Sequence, residues 1–249
     1  MLRCVGIDLA WGERARTGVA VLDPEGRLVR SASVRTDDEI ADVLGTDAQT
    51  PGLVVAIDAP LIVPNESGQR PCEREITRLF GRFHAGAYPA NRGRPAFHPE
   101  PRAARLAQRF DWIIDPAVRP GPAHSVAIEV YPHSAMVSLF HLERVLPYKG
   151  KRGRTVASRR VAFGSVLDGI EAECGALLRL SESTRWSELR HQVATATSPV
   201  DLDRAEDEVD GILCAYVAWL WAYRPSSLIV VGDAAAGYIV TPPPPTSAS

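Results

Sequence analysis

Two short runs of apolar, mostly β-branched residues each end in an aspartate, and they constrain the fold more than any other feature. The first lies within residues 3–10 and leads to Asp8, and the second lies within residues 53–58 and ends at Asp58. Uninterrupted runs of this kind predict strands that are buried on both faces of a parallel sheet. Buried carboxylates are costly unless a positive charge lies between them. The pair therefore predicts a cation-binding cluster, although each acid taken alone is equally explained as a cap or turn residue.

The order of predicted elements up to Asp58 is β-β-β-α-β. Residues 18–23 and 27–34 form an antiparallel hairpin around a Pro-Glu-Gly turn. Thr36 and Glu39 make a capping box, which predicts a helix that begins there. Both Asp8 and Asp58 then lie near carboxyl ends of strands, where ligands of α/β sheets collect. We expect an α/β protein in which these acids share one edge of the sheet.

The remaining chain divides into an insertion, a helical half and a tail. Residues 64–123 are rich in Pro, Gly and Arg, and the predicted loop at residues 84–101 is longer than ordinary connections, which favours a functional insertion or a lid. Further elements are predicted as helices near residues 72–83, 102–110, 133–145, 155–180, 186–195 and 201–223, and as strands at residues 125–131 and 227–231. We expect one domain over residues 1–240 and a disordered tail over residues 241–249.

The helix at residues 201–223 carries acids on the stripe that continues into its apolar face. At about 100° per residue the stripe contains Asp203, Asp207, Asp210, Cys214, Val217 and Trp221. Asp207 and Asp210 lie side by side, and two such charges repel by roughly 4 kcal/mol at an effective dielectric of 20. A divalent cation would turn this repulsion into binding. Acids also favour the positive end of a helix dipole, and we interpret Asp203 and Glu206 in that way.

Two polar residues near residues 125–133 have open interpretations. Glu129 lies inside a predicted strand, so it faces either solvent or the site. His133 follows this strand and either assists a proton transfer or serves as a structural residue or helix cap. Oxygen ligands such as those of the aspartates suit Mg²⁺ or Mn²⁺ rather than zinc. Two such ions about 4 Å apart can stabilise the attacking and leaving oxygens of a phosphoryl displacement by water.

Basic segments flank the acids and suit a polyanionic substrate. Nine arginines lie between Gln69 and Phe110, and residues 147–154 form a second basic, glycine-rich loop. Each arginine alone is as well explained as a solvated surface residue. Tyr88, Phe97 and Trp112 either stack on bases or anchor the insertion to the core.

These motifs, taken together, resemble the DUF429 family, whose members are described as predicted nucleases of ribonuclease H-like fold with an acidic pattern like that of Holliday-junction resolvases. The resemblance covers about residues 3–240 and is carried by Gly6-Ile7-Asp8-Leu9-Ala10-Trp11, Ile57-Asp58-Ala59-Pro60-Leu61, Arg70 with Cys72-Glu73, Glu129-Val130-Tyr131-Pro132, Tyr148-Lys149, and Asp207-x-x-Asp210-Gly211 with Cys214-Ala215-Tyr216. Gly211 stands where nucleases of this fold often carry alanine.

The resemblance implies a mixed five-stranded sheet flanked by helices, with the insertion after the fourth strand. It implies that Asp8, Asp58, Asp207 and Asp210 hold Mg²⁺ or Mn²⁺ and, together with Glu129, form the catalytic set. It further implies that Arg70, Glu73, Tyr148 and Lys149 contribute to the substrate pocket. Nucleic acid is the expected partner.

Composition restricts the cellular setting more than the partner. A net charge of −2 over 249 residues indicates no particular partner. The four cysteines form no CxxC or zinc spacing, and no signal-peptide or membrane-spanning pattern is visible, so we expect a cytoplasmic protein without a membrane partner. The oligomeric state is not indicated.

Three functions are compatible with these residues. The first is a metal-dependent nuclease or phosphodiesterase. The second is an actin-like ATPase or kinase, which shares the Gly-x-Asp of the first strand but needs two such domains and a second phosphate loop, for which Gly232–Gly237 is a poor substitute. The third is a noncatalytic nucleic-acid-binding or regulatory protein that kept the fold.

Overall fold

The computed structural model of the chain describes residues 2–12 and 15–245. The strands are β1 (Arg3–Asp8), β2 (Thr17–Leu22), β3 (Leu28–Val34), β4 (Leu53–Ile57), β5 (Trp112–Ile113), β6 (Ser125–Glu129), β7 (Ile229–Asp233) and β8 (Gly237–Thr241). The helices are α1 (Asp37–Leu44), α2 (Pro71–Phe80), α3 (Arg102–Arg109), α4 (Pro132–Leu139), α5 (Val156–Leu178), α6 (Thr184–Thr195) and α7 (Pro199–Tyr223). Within the described residues, no helix is both long enough and apolar enough to cross a bilayer.

A six-stranded sheet in the order β3-β2-β1-β4-β6-β5 forms the centre of the molecule. The first two pairings, β3 with β2 and β2 with β1, are antiparallel, and the other three are parallel. This mixed α/β arrangement, flanked by helices, is consistent with the ribonuclease H-like fold that the sequence predicts. The strands β1, β2, β4 and β6 are almost entirely buried, as their uninterrupted apolar runs indicate.

The predicted count of five strands in the sheet is wrong by one. The sixth strand, β5, has only two residues, Trp112 and Ile113, and pairs with the start of β6 at the edge of the sheet. Two residues are too few to show the periodicity by which a strand is recognised in sequence. The strand predicted at residues 227–231 is β7, which pairs with β8 in a separate two-stranded sheet.

The ends of two predicted elements also differ from expectation. The helix predicted at residues 133–145 ends at Leu139, and the chain then turns through His141, whose φ is 51°. The tail predicted at residues 241–249 begins too early, because Thr241 is fully buried as the last residue of β8, and its hydroxyl lies 2.9 Å from the Ser134 hydroxyl. Strand pairing and a buried hydrogen bond therefore hold Thr241, and residues 246–249 lie outside the described part of the chain.

The longest helix, α7, lies against the sheet and is covered by α5 and α6. The sequence prediction for this helix is confirmed within two residues at its start. Ser198 and Asp201 form its capping box, and Asp203 and Glu206 lie within its first eight residues. Cys4 and Cys214 lie in the core between sheet and helix, as their apolar surroundings predict.

Aromatic residues of the insertion mostly serve packing. The ring of Phe97 is buried against Trp11, with ring centroids 4.9 Å apart. Trp112 is buried at the edge of the sheet. Tyr88 is 56% exposed, so of these three side chains it is the one that a ligand can reach.

Candidate active site

Asp8 and Asp58 meet at the carboxyl edge of the parallel strands. The strands β1 and β4 are adjacent with Ile7 opposite Ile57, and the backbone N–H of Asp58 donates to the carbonyl oxygen of Ile7 at 2.8 Å. This register places the two acids beside each other, and the charge of Asp58 contributes to raising the pKa of Asp8. Two neighbouring carboxylates repel, so a bound cation would stabilise them.

Asp207 and Asp210 reach the same edge because α7 approaches the sheet at backbone contact distance. A Cβ on Gly18 of β2 would lie 1.6 Å from the carbonyl oxygen of Asp207, and one on Gly6 of β1 would lie 2.0 Å from the carbonyl oxygen of Gly211. Glycine at these positions leaves no side chain between strand and helix. The first part of α7 therefore lies beside the end of β1, with its acids next to Asp8.

The four aspartates act on one another electrostatically. Burial raises the pKa of Asp8 well above its usual range, and the charges of Asp210, Asp58 and Asp207 raise it further while Lys149 opposes them. Burial, with a contribution from Asp210, raises the pKa of Asp58 to about 7. The same two causes raise the pKa of Asp207 to about 6. Charges that perturb one another in this way lie close together, and we call this group of four aspartates the acidic pocket.

Lys149 is the cation at the centre of this acidic pocket. Its Nζ lies 2.6 Å from Oδ2 of Asp210 and 4.0 Å from a carboxylate oxygen of Glu206. The hydroxyl of Tyr148 donates to Oδ1 of Asp210 at 2.7 Å. Asp210 is fully buried. Lys149 therefore balances the charge of Asp210 inside the protein.

Arg159 of α5 is a further member of the site that sequence reasoning missed. Its Nη2 donates to Asp203 at 2.7 Å and to Glu206 at 3.0 Å, and its Nε donates to the carbonyl oxygen of Tyr148 at 2.8 Å. Arg159 thereby ties α7 to the loop that carries Lys149. A signal was available in the sequence, because Arg159 continues the buried stripe of Phe163, Val166 and Ile170, where an arginine requires acidic partners.

Glu129 lies in a separate ion cluster next to Asp58. Arg70 donates to its two carboxylate oxygens at 2.9 and 2.5 Å, and the backbone N–H of Leu61 donates to it at 2.9 Å. The Nε of Arg70 also donates to Glu73 at 2.8 Å. All three charged side chains are at most 4% exposed. Arg70 and Glu73 thus join the insertion to β6, and together with Glu129 they also line the cavity beside Asp58.

A divalent ion fits this pocket in donor chemistry and in charge. Asp8, Asp58, Asp207 and Asp210 offer the hard carboxylate oxygens that Mg²⁺ and Mn²⁺ prefer, and one lysine balances only part of their charge. Over residues 2–12 and 15–245, no three acids, histidines or cysteines are spaced as a ready-made metal site. The four aspartates share a pocket, and binding an ion between them requires side-chain movement and a shift of Lys149.

Comparison with known proteins gives one match, and it covers most of the chain. The family model described as DUF429, protein of unknown function, matches residues 6–235. The protein belongs to the DUF429 family. No curated protein and no solved structure gives a significant match. Membership of DUF429 agrees with the motifs on β1, β4 and α7, and the chemistry of the family must be inferred from the site itself.

Proposed function

We propose that this DUF429 protein is a divalent-metal-dependent phosphodiesterase that acts on nucleic acid. One observation carries the proposal: the aspartates at the ends of β1 and β4 lie at the same edge of the sheet as Asp207 and Asp210 of α7, and the charge of Asp210 contributes to raising the pKa values of Asp8, Asp58 and Asp207. Structural acids are not normally buried together so that several of their pKa values rise. Perturbed acids in a common pocket are typical of catalytic and metal-binding sites.

The aspartates have distinct roles in this proposal. Asp8, Asp58, Asp207 and Asp210 would hold Mg²⁺ or Mn²⁺, which when bound supplies activation of water and neutralisation of charge on phosphorus. Tyr148 orients Asp210 through its hydroxyl. Glu129, predicted from sequence as catalytic, orients the backbone after β4 through its bond to Leu61. Arg70 and Glu73 position Glu129 rather than contact the substrate.

A nucleic-acid partner is supported by the basic loop between α4 and α5. Lys149 contacts the acidic pocket, and Lys151 and Arg152 of the same loop are exposed. A polyanion can therefore approach the acids along positive side chains. The arginines of the insertion contribute less than their number indicates, because Arg70 and Arg102 are buried in contacts within the protein. The cytoplasmic location predicted from the cysteines stays a prediction.

The proposal is tested by incubating the full-length protein with DNA and RNA, single- and double-stranded, in Mg²⁺ or Mn²⁺. We expect cleavage that depends on the metal and that Asp8→Asn abolishes, since this substitution removes a charge from the pocket. Asp168→Asn is the matched control. Asp168 of α5 is exposed, pairs with Arg190 of α6 and lies outside the acidic pocket. Failure to cleave any of these nucleic acids with either metal would refute the nuclease assignment.

The two alternative functions have weaker support. The segment Gly232–Gly237 forms the turn and adjoining strand ends of the β7–β8 hairpin, whereas a phosphate loop leads into a helix. Nothing in this segment favours an actin-like ATPase, and measurable ATP hydrolysis would revive that reading. A noncatalytic binding protein would bind the metal and nucleic acid without cleavage in the experiment above.

A further inference from the structure

A small basic cavity is lined by Lys149, which also contacts Asp210 of the acidic pocket. Three positive side chains of the α4–α5 loop line it, Lys149, Lys151 and Arg154, and His133 from the first turn of α4 completes this group. Tyr88 and Tyr131 also line it, and both line the cavity beside Asp58 as well. The basic cavity and the acidic pocket are therefore neighbours that share walls.

Two of the three cations of the basic cavity, Lys151 and Arg154, are not balanced by acids. Lys151 donates to the hydroxyl of Tyr88 at 3.1 Å, and Arg154 donates to the carbonyl oxygen of Lys149 at 2.8 Å. Within the part of the chain that the structure describes, neither of them forms an ion pair with a carboxylate. Their charges are therefore free to meet an anion in the cavity.

His133 adds a polar group that lacks a partner. Its Nδ1 is buried and, among the described residues, has no hydrogen-bond partner. Burial, followed by the charges of Lys149, Lys151 and Arg154, lowers the pKa of His133 well below its usual range, so the ring is neutral. The side chain of Tyr131 makes no capping bond at the start of α4, where the helix dipole is positive. These groups also favour an anion.

The size of the basic cavity restricts that anion. Its volume is about 50 Å³, and a water molecule occupies roughly 30 Å³ in the liquid. A cavity of this size accommodates a single phosphate-sized group. A phosphate inside a strand carries one charge and needs an exit for the chain on both sides. A terminal phosphate monoester carries a charge of about −1.5 to −2 near neutral pH and needs only one exit.

We propose that the basic cavity of His133, Lys149, Lys151 and Arg154 binds a terminal phosphate monoester of the nucleic-acid substrate, next to the acids that act on a neighbouring ester. This inference rests on the proposed function, and it makes the substrate class a strand with a phosphorylated end. Lys149 joins the two sites, because it lines the basic cavity and contacts Asp210.

The test measures binding without turnover. Oligonucleotides of one sequence, as DNA and as RNA, carry a 5′-phosphate, a 3′-phosphate or neither, with the fluorophore on the opposite end. Anisotropy is followed with full-length protein in a metal chelator. We expect one phosphorylated end to bind at least about tenfold more tightly than the unphosphorylated strand, as new hydrogen bonds to charged groups imply. Inorganic phosphate should compete more strongly than chloride at equal ionic strength.

Substitutions in the α4–α5 loop then test which side chains bind the terminal phosphate. Lys151→Met, and the double change with Arg154→Met, should reduce the preference for the phosphorylated strand to about onefold. Arg152→Met is the control, because Arg152 belongs to the same loop, is exposed and does not line the cavity. It should weaken all strands similarly. Lys151 is exposed, so its substitution should leave folding intact, which thermal unfolding checks.

Equal affinity for phosphorylated and unphosphorylated strands would overturn the proposal, as would a preference that Lys151→Met leaves unchanged. These results are separable from the cleavage test. Cleavage without any end preference would reject the phosphate site and keep the nuclease. An end preference that depends on Lys151, in a protein that cleaves nothing, would support the phosphate site and reject the nuclease.

Discussion

At the scale of single residues, the charge of Lys149 stabilises the acidic pocket when no ion is bound. The ammonium of Lys149 lies 2.6 Å from Asp210. Burial lowers the pKa of Lys149, but the neighbouring acids raise it more, so this pKa is well above its usual range. The lysine is therefore charged and takes the place that a cation would occupy. Any divalent ion entering the pocket must compete with it, because like charges at this distance repel strongly.

Replacing Lys149 with methionine should strengthen divalent-ion binding. Removing the ammonium leaves Asp210 unbalanced and removes the repulsion of an incoming ion, so we expect the Kd for Mn²⁺ to fall by about tenfold or more. Isothermal titration calorimetry on metal-free protein measures this directly. Arg152→Met is the control for a general loss of positive charge from the loop. Unchanged or weaker Mn²⁺ binding in Lys149→Met would show that the lysine does not occupy the ion's place.

At the scale of elements, the contact of α7 with β1 and β2 brings the aspartates together. Gly6, Gly18 and Gly211 let backbones touch, and a Cβ on Gly211 would lie 2.9 Å from the backbone carbon of Gly18. This explains why residue 211 is a glycine. The same contact sets how far Asp207 and Asp210 lie from Asp8, so packing and site geometry depend on one surface.

A single methyl group on the contact surface between α7 and the sheet should disturb both the packing and the geometry of the site. In Gly18→Ala the new Cβ must displace the backbone of Asp207, so we expect the free energy of unfolding to fall by about 1–3 kcal/mol or more in urea titrations. Gly164→Ala in α5 is the matched control, because a Cβ there meets nothing within 4 Å. The control should be neutral or stabilising by up to about 1 kcal/mol, as helix propensity predicts. Equal effects of the two substitutions would contradict the close contact.

At the scale of the whole molecule, two buried arginines fasten the insertion to the sheet. Arg70 joins α2 to Glu129 of β6. Arg102 of α3 donates to the carbonyl oxygens of Ala10 and Arg35, which follow β1 and β3. The insertion is therefore part of the wall of the site, and it carries Tyr88 between the acidic pocket and the basic cavity.

Removing Arg70 should loosen this attachment. Arg70→Met leaves Glu73 and Glu129 buried without their partner, so we expect a loss of about 3–5 kcal/mol in the free energy of unfolding. Arg78→Met on the same helix is the control, since its pairing with Glu75 is exposed and contributes less than about 1 kcal/mol. Urea unfolding compares them. A similar small loss in both variants would mean that the Arg70 cluster does not hold the insertion.

The sequence by itself determined the elements whose signals are local. The apolar runs at β1 and β4, the capping box of Thr36 and Glu39 and the stripe on α7 are confirmed, because such signals depend on neighbours within a few residues. Parallel strands bring their carboxyl ends to one edge, so even the meeting of Asp8 with Asp58 followed from local patterns.

Only the tertiary structure decided which charges are partners. The contacts of Lys149 with Asp210, Arg159 with Glu206 and Arg70 with Glu129 join residues 47 to 61 positions apart, through loops whose paths carry no periodic signal. A buried charge is stabilised by whichever opposite charge the fold brings to it, and that depends on distances in space rather than along the chain. For the same reason the two-residue strand β5 and the basic cavity became visible only after the chain was folded.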